Sequence, residues 1–186
     1  VPLVDFVRFK HDLTPPLMTI LNFEFKARTH NLDGLEQKLL LLNPLFIGED
    51  HQTDTYFNVP AGRLKLREGN IENSLIYYQR SNTADAKQSD VLLYKHSPDK
   101  TLKDILIKTN GIMVVVEKRR KIYFIDNIKF HFDTIQGLGT FIEVEAIDKT
   151  GEIGIERLKA QCNEYAKYFE IIDSDYIAVS YSDLMM

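Results

Sequence analysis

Charge alternates with apolar side chains in Asn22-Phe-Glu24-Phe-Lys26-Ala-Arg28, in Arg63-Leu-Lys65-Leu-Arg67 and in Glu143-Val-Glu145. Neighbouring side chains of a strand point to opposite faces, so each segment sends its charges to one side and its Phe, Leu or Val to the other. Lys129-Phe-His131-Phe-Asp133 repeats the pattern, and Val114-Val-Val116-Glu-Lys118-Arg-Arg120 selects Lys118 and Arg120 as its inward pair. Any one such face alone fits a wetted sheet surface. Several of them turned toward one another inside a curled sheet make a cavity with basic walls and a few carboxylates, a place for a polyphosphate and a divalent ion. The inward set holds eight bases, Lys26, Arg28, Arg63, Lys65, Arg67, Arg80, Lys118 and Arg120, against four acids, Glu24, Asp133, Glu143 and Glu145, an excess of +4 in a chain whose formal charge is -4. Like charges about 4 Å apart repel by roughly 4 kcal/mol at an effective dielectric near 20, so the cluster calls for an anion.

The elements that must position these residues are strands with helices between them. Strands read at about 19–28, 52–59, 63–68, 74–80, 91–96, 112–121, 121–126, 127–133 and 139–147, and turn-rich pieces such as Pro60-Ala-Gly62 separate them. A helix fits 32–42, with Leu35, Leu39 and Leu42 on one stripe until Asn43-Pro44 stops it. A second fits 101–109, ended by Asn110-Gly111, and a third fits 152–168, with Ile155, Leu158, Cys162 and Tyr165 on its apolar face. About eight antiparallel strands with marginal helices predict an α+β fold, a closed eight-stranded barrel or tunnel with helices packed outside. In it Phe23, Phe25, Leu64, Leu66, Phe130 and Phe132 face outward under the helices.

Composition narrows the partners. The 186 residues, 44% hydrophobic and 27% charged, describe an ordinary globular chain long enough for a core. Net charge -4 argues against a nucleic-acid binder, which needs a broad basic surface. No apolar run nears the roughly 20 residues of a membrane helix, and the single cysteine, Cys162, excludes an intrachain disulfide framework. These features predict a cytoplasmic protein with no membrane partner, and they leave room for a homodimer. Patterning starts after Met18, so residues 1–17 read as an amino-terminal extension, native or appended, and 18–186 as one domain.

Asn22-Phe-Glu24-Phe-Lys26, Asp54-Thr-Tyr-Phe57, Gly62-Arg-Leu-Lys-Leu-Arg-Glu68, Leu75-Ile-Tyr-Tyr-Gln-Arg80 and Leu138-Gly-Thr-Phe-Ile-Glu-Val-Glu145 resemble, in order, motifs of the CYTH superfamily. That group contains class IV adenylate cyclases and thiamine triphosphatases, the triphosphate tunnel metalloenzymes. The resemblance runs from about 18 to 184 and implies an eight-stranded tunnel that grips a triphosphate with bases and a metal with acids. It implies substrate binding by Lys26, Arg63, Lys65, Arg67, Arg80, Lys118 and Arg120, which Arg28 joins by its inward parity, and metal binding by Glu24, Asp133, Glu143 and Glu145. The family's first motif is Glu-x-Glu-x-Lys; here Asn22 replaces the first Glu, and an amide oxygen ligates a hard cation without contributing charge. Glu143 and Glu145, with backbone origins about 7 Å apart on one face, can converge on one ion. Oxygen ligands favour Mg2+ or Mn2+ over zinc.

The resemblance implies two reactions that need the same phosphate grip. In a cyclase the ribose hydroxyl of ATP attacks the α-phosphorus and pyrophosphate leaves; in a triphosphatase water attacks the terminal phosphorus of thiamine triphosphate, tripolyphosphate or another triphosphate. ATP cyclisation is the first choice, and Lys26 or a metal-bound hydroxide would assist deprotonation. A non-catalytic polyphosphate or nucleotide binder is a third reading, which Asn22 keeps open. Among the remaining residues, Cys162 reads as core and His51 as a loop residue. His131 shares the parity of Asp133 and reads equally as a tunnel residue or a structural one. For Tyr77 and Tyr78, strand packing reads better than base stacking.

Overall fold

The computed structural model describes residues 21–79 and 90–186. Arg80, Met18 and the extension before it lie outside the described residues. Eight strands fall at β1 Leu21–Thr29, β2 Leu45–Phe57, β3 Arg63–Glu68, β4 Ser74–Gln79, β5 Asp90–Lys95, β6 Ile112–Ile125, β7 Ile128–Ile135 and β8 Gly139–Asp148. Helices are α1 Leu32–Leu40, α2 Lys100–Asn110, α3 Ile155–Tyr168 and α4 Tyr181–Leu184.

The strands form one antiparallel sheet in the order β1-β8-β7-β6-β2-β3-β4-β5. Closure is the expectation that fails. Among the described residues no ladder joins β5 to β1, and the sheet is a strongly curled half-barrel open along that seam. After α3 the chain comes back to the β1 edge, where Ala27 bridges Tyr176 and the Ile177 amide donates to the Lys26 carbonyl at 2.8 Å. That contact satisfies part of an edge otherwise exposed to pairing.

Helix ends follow local chemistry. Asn31 caps α1 by accepting from the Gly34 amide at 3.1 Å, and Asp99 caps α2 through the Thr101 amide at 2.7 Å. Gly111, at φ 72, ends α2 in a conformation that disfavours a side chain. Ser180 and Asp183 cap α4 reciprocally, side chain to amide in both directions.

Parity places the core as expected. Phe23, Phe25, Phe130, Phe132, Ile142 and Val144 pack on the convex face against Leu158, Cys162 and Phe169 of the α3 region and Leu35 and Leu39 of α1. Leu64 and Leu66 meet Leu102 and Leu106 of α2. Cys162 is core: its Sγ donates to the Phe23 carbonyl at 3.3 Å, and burial pushes its thiol up to about 12. Several boundaries differ from expectation: α1 stops at Leu40, so Leu42 lies outside it, and α3 starts at Ile155. The strands read at 112–121 and 121–126 are one strand, β6, and β2 starts seven residues earlier than read, so His51 lies in a strand and not a loop. Among the described residues no helix is long and apolar enough to cross a membrane.

Candidate active site

Curling turns the charged faces inward around a cavity of about 460 Å³, within the range of about 300–1,000 Å³ typical of small-molecule sites. Register decides who meets whom. Between β1 and β8, Glu24 stands opposite Glu145 and Lys26 opposite Glu143; between β8 and β7, Glu145 stands opposite Lys129 and Glu143 opposite His131. Arg120 of β6 pairs with Asp133 of β7, and Arg67 of β3 with Asp54 of β2.

Asp54 gathers the basic wall. Its buried carboxylate accepts from Lys118 Nζ at 2.7 Å, from Arg67 Nε and Nη2 at 2.8 and 3.0 Å, and from Lys65 Nζ at 3.2 Å. Burial alone would raise its pKa, but Arg67, Lys118 and Lys65 overcome burial and hold it well below the usual carboxylate range. Lys118 carries the opposite strain: burial, with Arg67, Arg120 and Lys65 around it, brings its ammonium down to about 7 although Asp54 opposes the shift. Three bases crowded on one acid leave the acid well stabilised and the most enclosed base marginally charged.

Glu72, in the loop before β4, plays a similar part for Arg67 and Lys129, at 2.9 and 2.5 Å. Arg120 is held by Asp133 through Nε at 2.6 Å and Nη2 at 2.5 Å, with Glu143 at 2.9 Å from Nη2. Asp133 also accepts from the Tyr181 hydroxyl at 2.8 Å. Lys26 is held more loosely, 3.8 Å from Glu143 with its Nζ 4.2 Å above the Tyr181 ring.

On the acidic wall, burial, with Glu24 and Glu143 nearby, pushes Glu145 up to about 7 against the pull of Lys129. Asn22 donates to Glu145 at 2.5 Å, and its own buried Oδ1 has no hydrogen-bond partner. Both ring nitrogens of His131 are buried without a hydrogen-bond partner as well, Nδ1 lying 3.8 Å from Glu143. Burial, Arg120 and Lys129 bring that imidazole down to about 3, so it is neutral at pH 7.

The cavity thus gathers Glu24, Lys26, Lys65, Arg67, Lys118, Arg120, Glu143 and Glu145 from the sequence-derived set. Three others stand apart from its lining. Arg28 reaches the Leu138 carbonyl at 2.5 Å and covers Phe141. Arg63 is locked onto Asp183 of α4 at 2.8 and 2.9 Å. Asp133 lies fully buried behind Arg120. Arg80 lies outside the described residues. Sequence reasoning missed Asp54, Glu72, Lys129 and Tyr181. Lys129 was readable from the parity it shares with His131, and Asp54 from Gln52-x-Asp54-x-Tyr56; nothing local announces Glu72 or Tyr181.

Among the described residues no three His, Cys, Asp or Glu side chains already converge on a common metal position. The donors nevertheless fit a hard divalent cation. Glu24 and Glu145 are like charges facing each other across a strand pair, Glu145 is reluctant to ionise without a cation, and the Asn22 amide oxygen lacks a partner. All three are oxygen donors.

A CYTH domain model matches residues 21–167. The chain belongs to the CYTH domain family, whose proteins are metal-dependent and bind triphosphates. It is similar to the PH1012 protein of Pyrococcus horikoshii, at 22% identity and TM-score 0.78, covering 88% of this chain and 98% of that one. A proposed adenylate cyclase of Vibrio parahaemolyticus is 18% identical with TM-score 0.73, over 89% and 97% of the two chains. A proposed adenylyl cyclase of Hippeastrum, described as having a dominant triphosphatase activity, is 12% identical with TM-score 0.60, over 89% and 93%. At these identities the likeness is one of fold. No curated protein matches the chain at a significant level.

Proposed function

We propose that this protein is an enzyme acting on a triphosphate with Mg2+ or Mn2+, and that ATP cyclisation to cyclic AMP and pyrophosphate is its reaction. The observation that carries the triphosphate reading is the basic wall: Lys65, Arg67, Lys118 and Arg120 enclosed in one cavity and held in place by Asp54 and Asp133. Bases fixed before the ligand arrives spend no reorganisation on it, which is how preorganised electrostatics lowers a barrier. Arginine forks suit phosphate oxygens and lysine serves as a point charge.

Glu24, Glu145 and the Asn22 amide would hold the cation, with Glu143 able to join when Arg120 turns to phosphate. Bound there, the ion would neutralise phosphate charge on the side opposite the bases. Lys26, the loosely held base between Glu143 and Tyr181, would contact the reacting oxygens and assist proton removal from the attacking hydroxyl. Arg120 and Lys118 stabilise charge on the departing pyrophosphate. Arg28 and Arg63, beside the cavity, are proposed to contribute field to it, and Arg80 is proposed as a further phosphate-binding base on its sequence match alone.

Hydrolysis is the second reading, favoured by the Hippeastrum protein's triphosphatase activity on the same fold. Incubation with ATP, thiamine triphosphate and tripolyphosphate, each with Mg2+ or Mn2+, separates the two. Cyclic AMP with pyrophosphate supports the cyclase, orthophosphate supports the hydrolase, and absence of product from all three refutes an enzyme.

A further inference from the structure

The cavity has two unlike walls. Opposite the charged arc of β1, β8, β7 and β6, the hairpin of β4 and β5 contributes Ile76, Tyr78, Val91 and Leu93. Ladder register makes these four one surface, because Ile76 stands opposite Leu93 and Tyr78 opposite Val91. The next inward pair, Ser74 and Lys95, is polar. The hairpin therefore changes from polar to apolar along its length.

Register also fixes how that gradient lies against the bases. On β3, Arg67 is opposite Ser74, Lys65 opposite Ile76 and Arg63 opposite Tyr78. Arg67 belongs to the enclosed phosphate grip with Lys118 and, through Glu72, Lys129. Moving from Arg67 to Lys65 along the same strand, the facing wall turns into Ile76 and Leu93. Leu93 is 49% exposed although it lines the cavity, so its apolar surface is available.

An apolar ledge gives a bare polyphosphate nothing, since anionic oxygens lose water there without a hydrogen bond in return. It does suit a flat, weakly polar ring attached to the phosphate chain, which would cover Leu93 and Val91 and lie beside Tyr78. We infer that the β4–β5 hairpin is the subsite for the organic half of an organic triphosphate, with Leu93 and Val91 selecting such substrates over inorganic tripolyphosphate. This rests on the triphosphate reading. It adds the direction in which the ligand lies, with phosphates toward Arg67 and Lys118 and the ring toward Leu93 at the open seam.

Calorimetric binding of ATP, thiamine triphosphate and tripolyphosphate, each with Mg2+, to wild type, Leu93→Ser and Val91→Thr tests it. Leu93 is half exposed, so its replacement leaves folding intact. Leu93→Ser is expected to weaken the better organic triphosphate about tenfold while tripolyphosphate stays within about twofold. Saturation transfer from protein methyl groups should reach ring protons of the bound organic ligand in wild type and fade in Leu93→Ser. Equal loss for organic and inorganic ligands, or no loss for either, overturns the subsite. Tight binding of tripolyphosphate with no binding of either organic ligand overturns the subsite and leaves the triphosphate reading standing. Binding of none of the three removes both.

Discussion

Replacing Asp54 by Asn would remove the anion on which Lys65, Arg67 and Lys118 meet while keeping the side chain's size. The carboxylate is 1% exposed and makes ionic contacts of 2.7 to 3.2 Å. Removing one partner of a buried ion pair typically costs about 3–5 kcal/mol, because the remaining charge stays buried and uncompensated. In a domain of this size each kcal/mol moves the melting temperature by about 2–4 °C, so the variant should melt about 6–20 °C lower. A second effect distinguishes this account from simple core damage. Tripolyphosphate can replace the missing anion, and a ligand at about 100 times its Kd adds about 2.7 kcal/mol to the folded state. Thermal unfolding followed by circular dichroism, with and without saturating tripolyphosphate, should show a larger ligand-induced rise in Asp54→Asn than in wild type. Glu68→Gln is the control: its pair with Lys103, at 2.6 Å, is about a quarter to a third exposed on each side, and its loss should cost under about 1 kcal/mol. A drop for Asp54→Asn no larger than the control's, or an equal ligand-induced rise in wild type, would refute the view that Asp54 assembles the basic wall.

Glu145→Gln should weaken Mn2+ binding at least about tenfold and abolish metal-dependent turnover; full turnover by this variant would take Glu145 out of the proposed site. Asn22→Glu supplies a third carboxylate beside Glu24 and Glu145, so calorimetry should find about tenfold tighter Mg2+ binding together with a lower melting temperature in metal-free buffer, where three acids then repel. Lys118 gives a pH signature. Its folded value, about 7, lies below the ordinary 10.5, so between about pH 7 and 10 the unfolded chain binds the extra proton and stability rises with pH. Urea unfolding should show a gain of about 2 kcal/mol from pH 7 to 9 that Lys118→Met lacks; the same slope in both proteins would show that Lys118 does not titrate there. Across the same interval tripolyphosphate should bind progressively less tightly to wild type, and Lys118→Met should flatten that dependence.

Strand parity made much of the site readable. Arg63–Glu68 falls where the alternation puts it, and Lys118 and Arg120 are buried while Glu117 and Arg119 are exposed. The period is lost where the backbone itself departs from regular pairing. β2 has a register shift between Phe46 and Gly48, which scrambles the alternation of its first residues and hid the start of the strand. In β6 the charge run through Lys121 looked like a break, whereas Lys121 continues the strand and pairs with Glu36 of α1 at 2.6 Å. Parity also gives a side but no depth. Arg28 and Arg63 have the inward register, yet one ends on Phe141 and the other on Asp183, because each sits near the end of its strand. The open seam between β5 and β1 and the approach of Lys118 to Asp54 from 64 residues away involve strands far apart in sequence, and no local pattern encodes them.

The match to the family ends at residue 167, but the cavity does not. Beyond that point Tyr176 and Ile177 rest on the β1 edge, the Tyr181 ring sits beneath Lys26 with its hydroxyl on Asp133, and Asp183 secures Arg63. One wall of the cavity is therefore set by a segment outside the eight strands, tied to them at the β1 edge by the Ala27–Tyr176 bridge and the Ile177 amide. Exchanging residues 178–184 alone would change how Lys26 and Arg63 are presented while leaving every strand ladder and the β1-edge bridge in place, so strand pairing by itself says nothing about that wall.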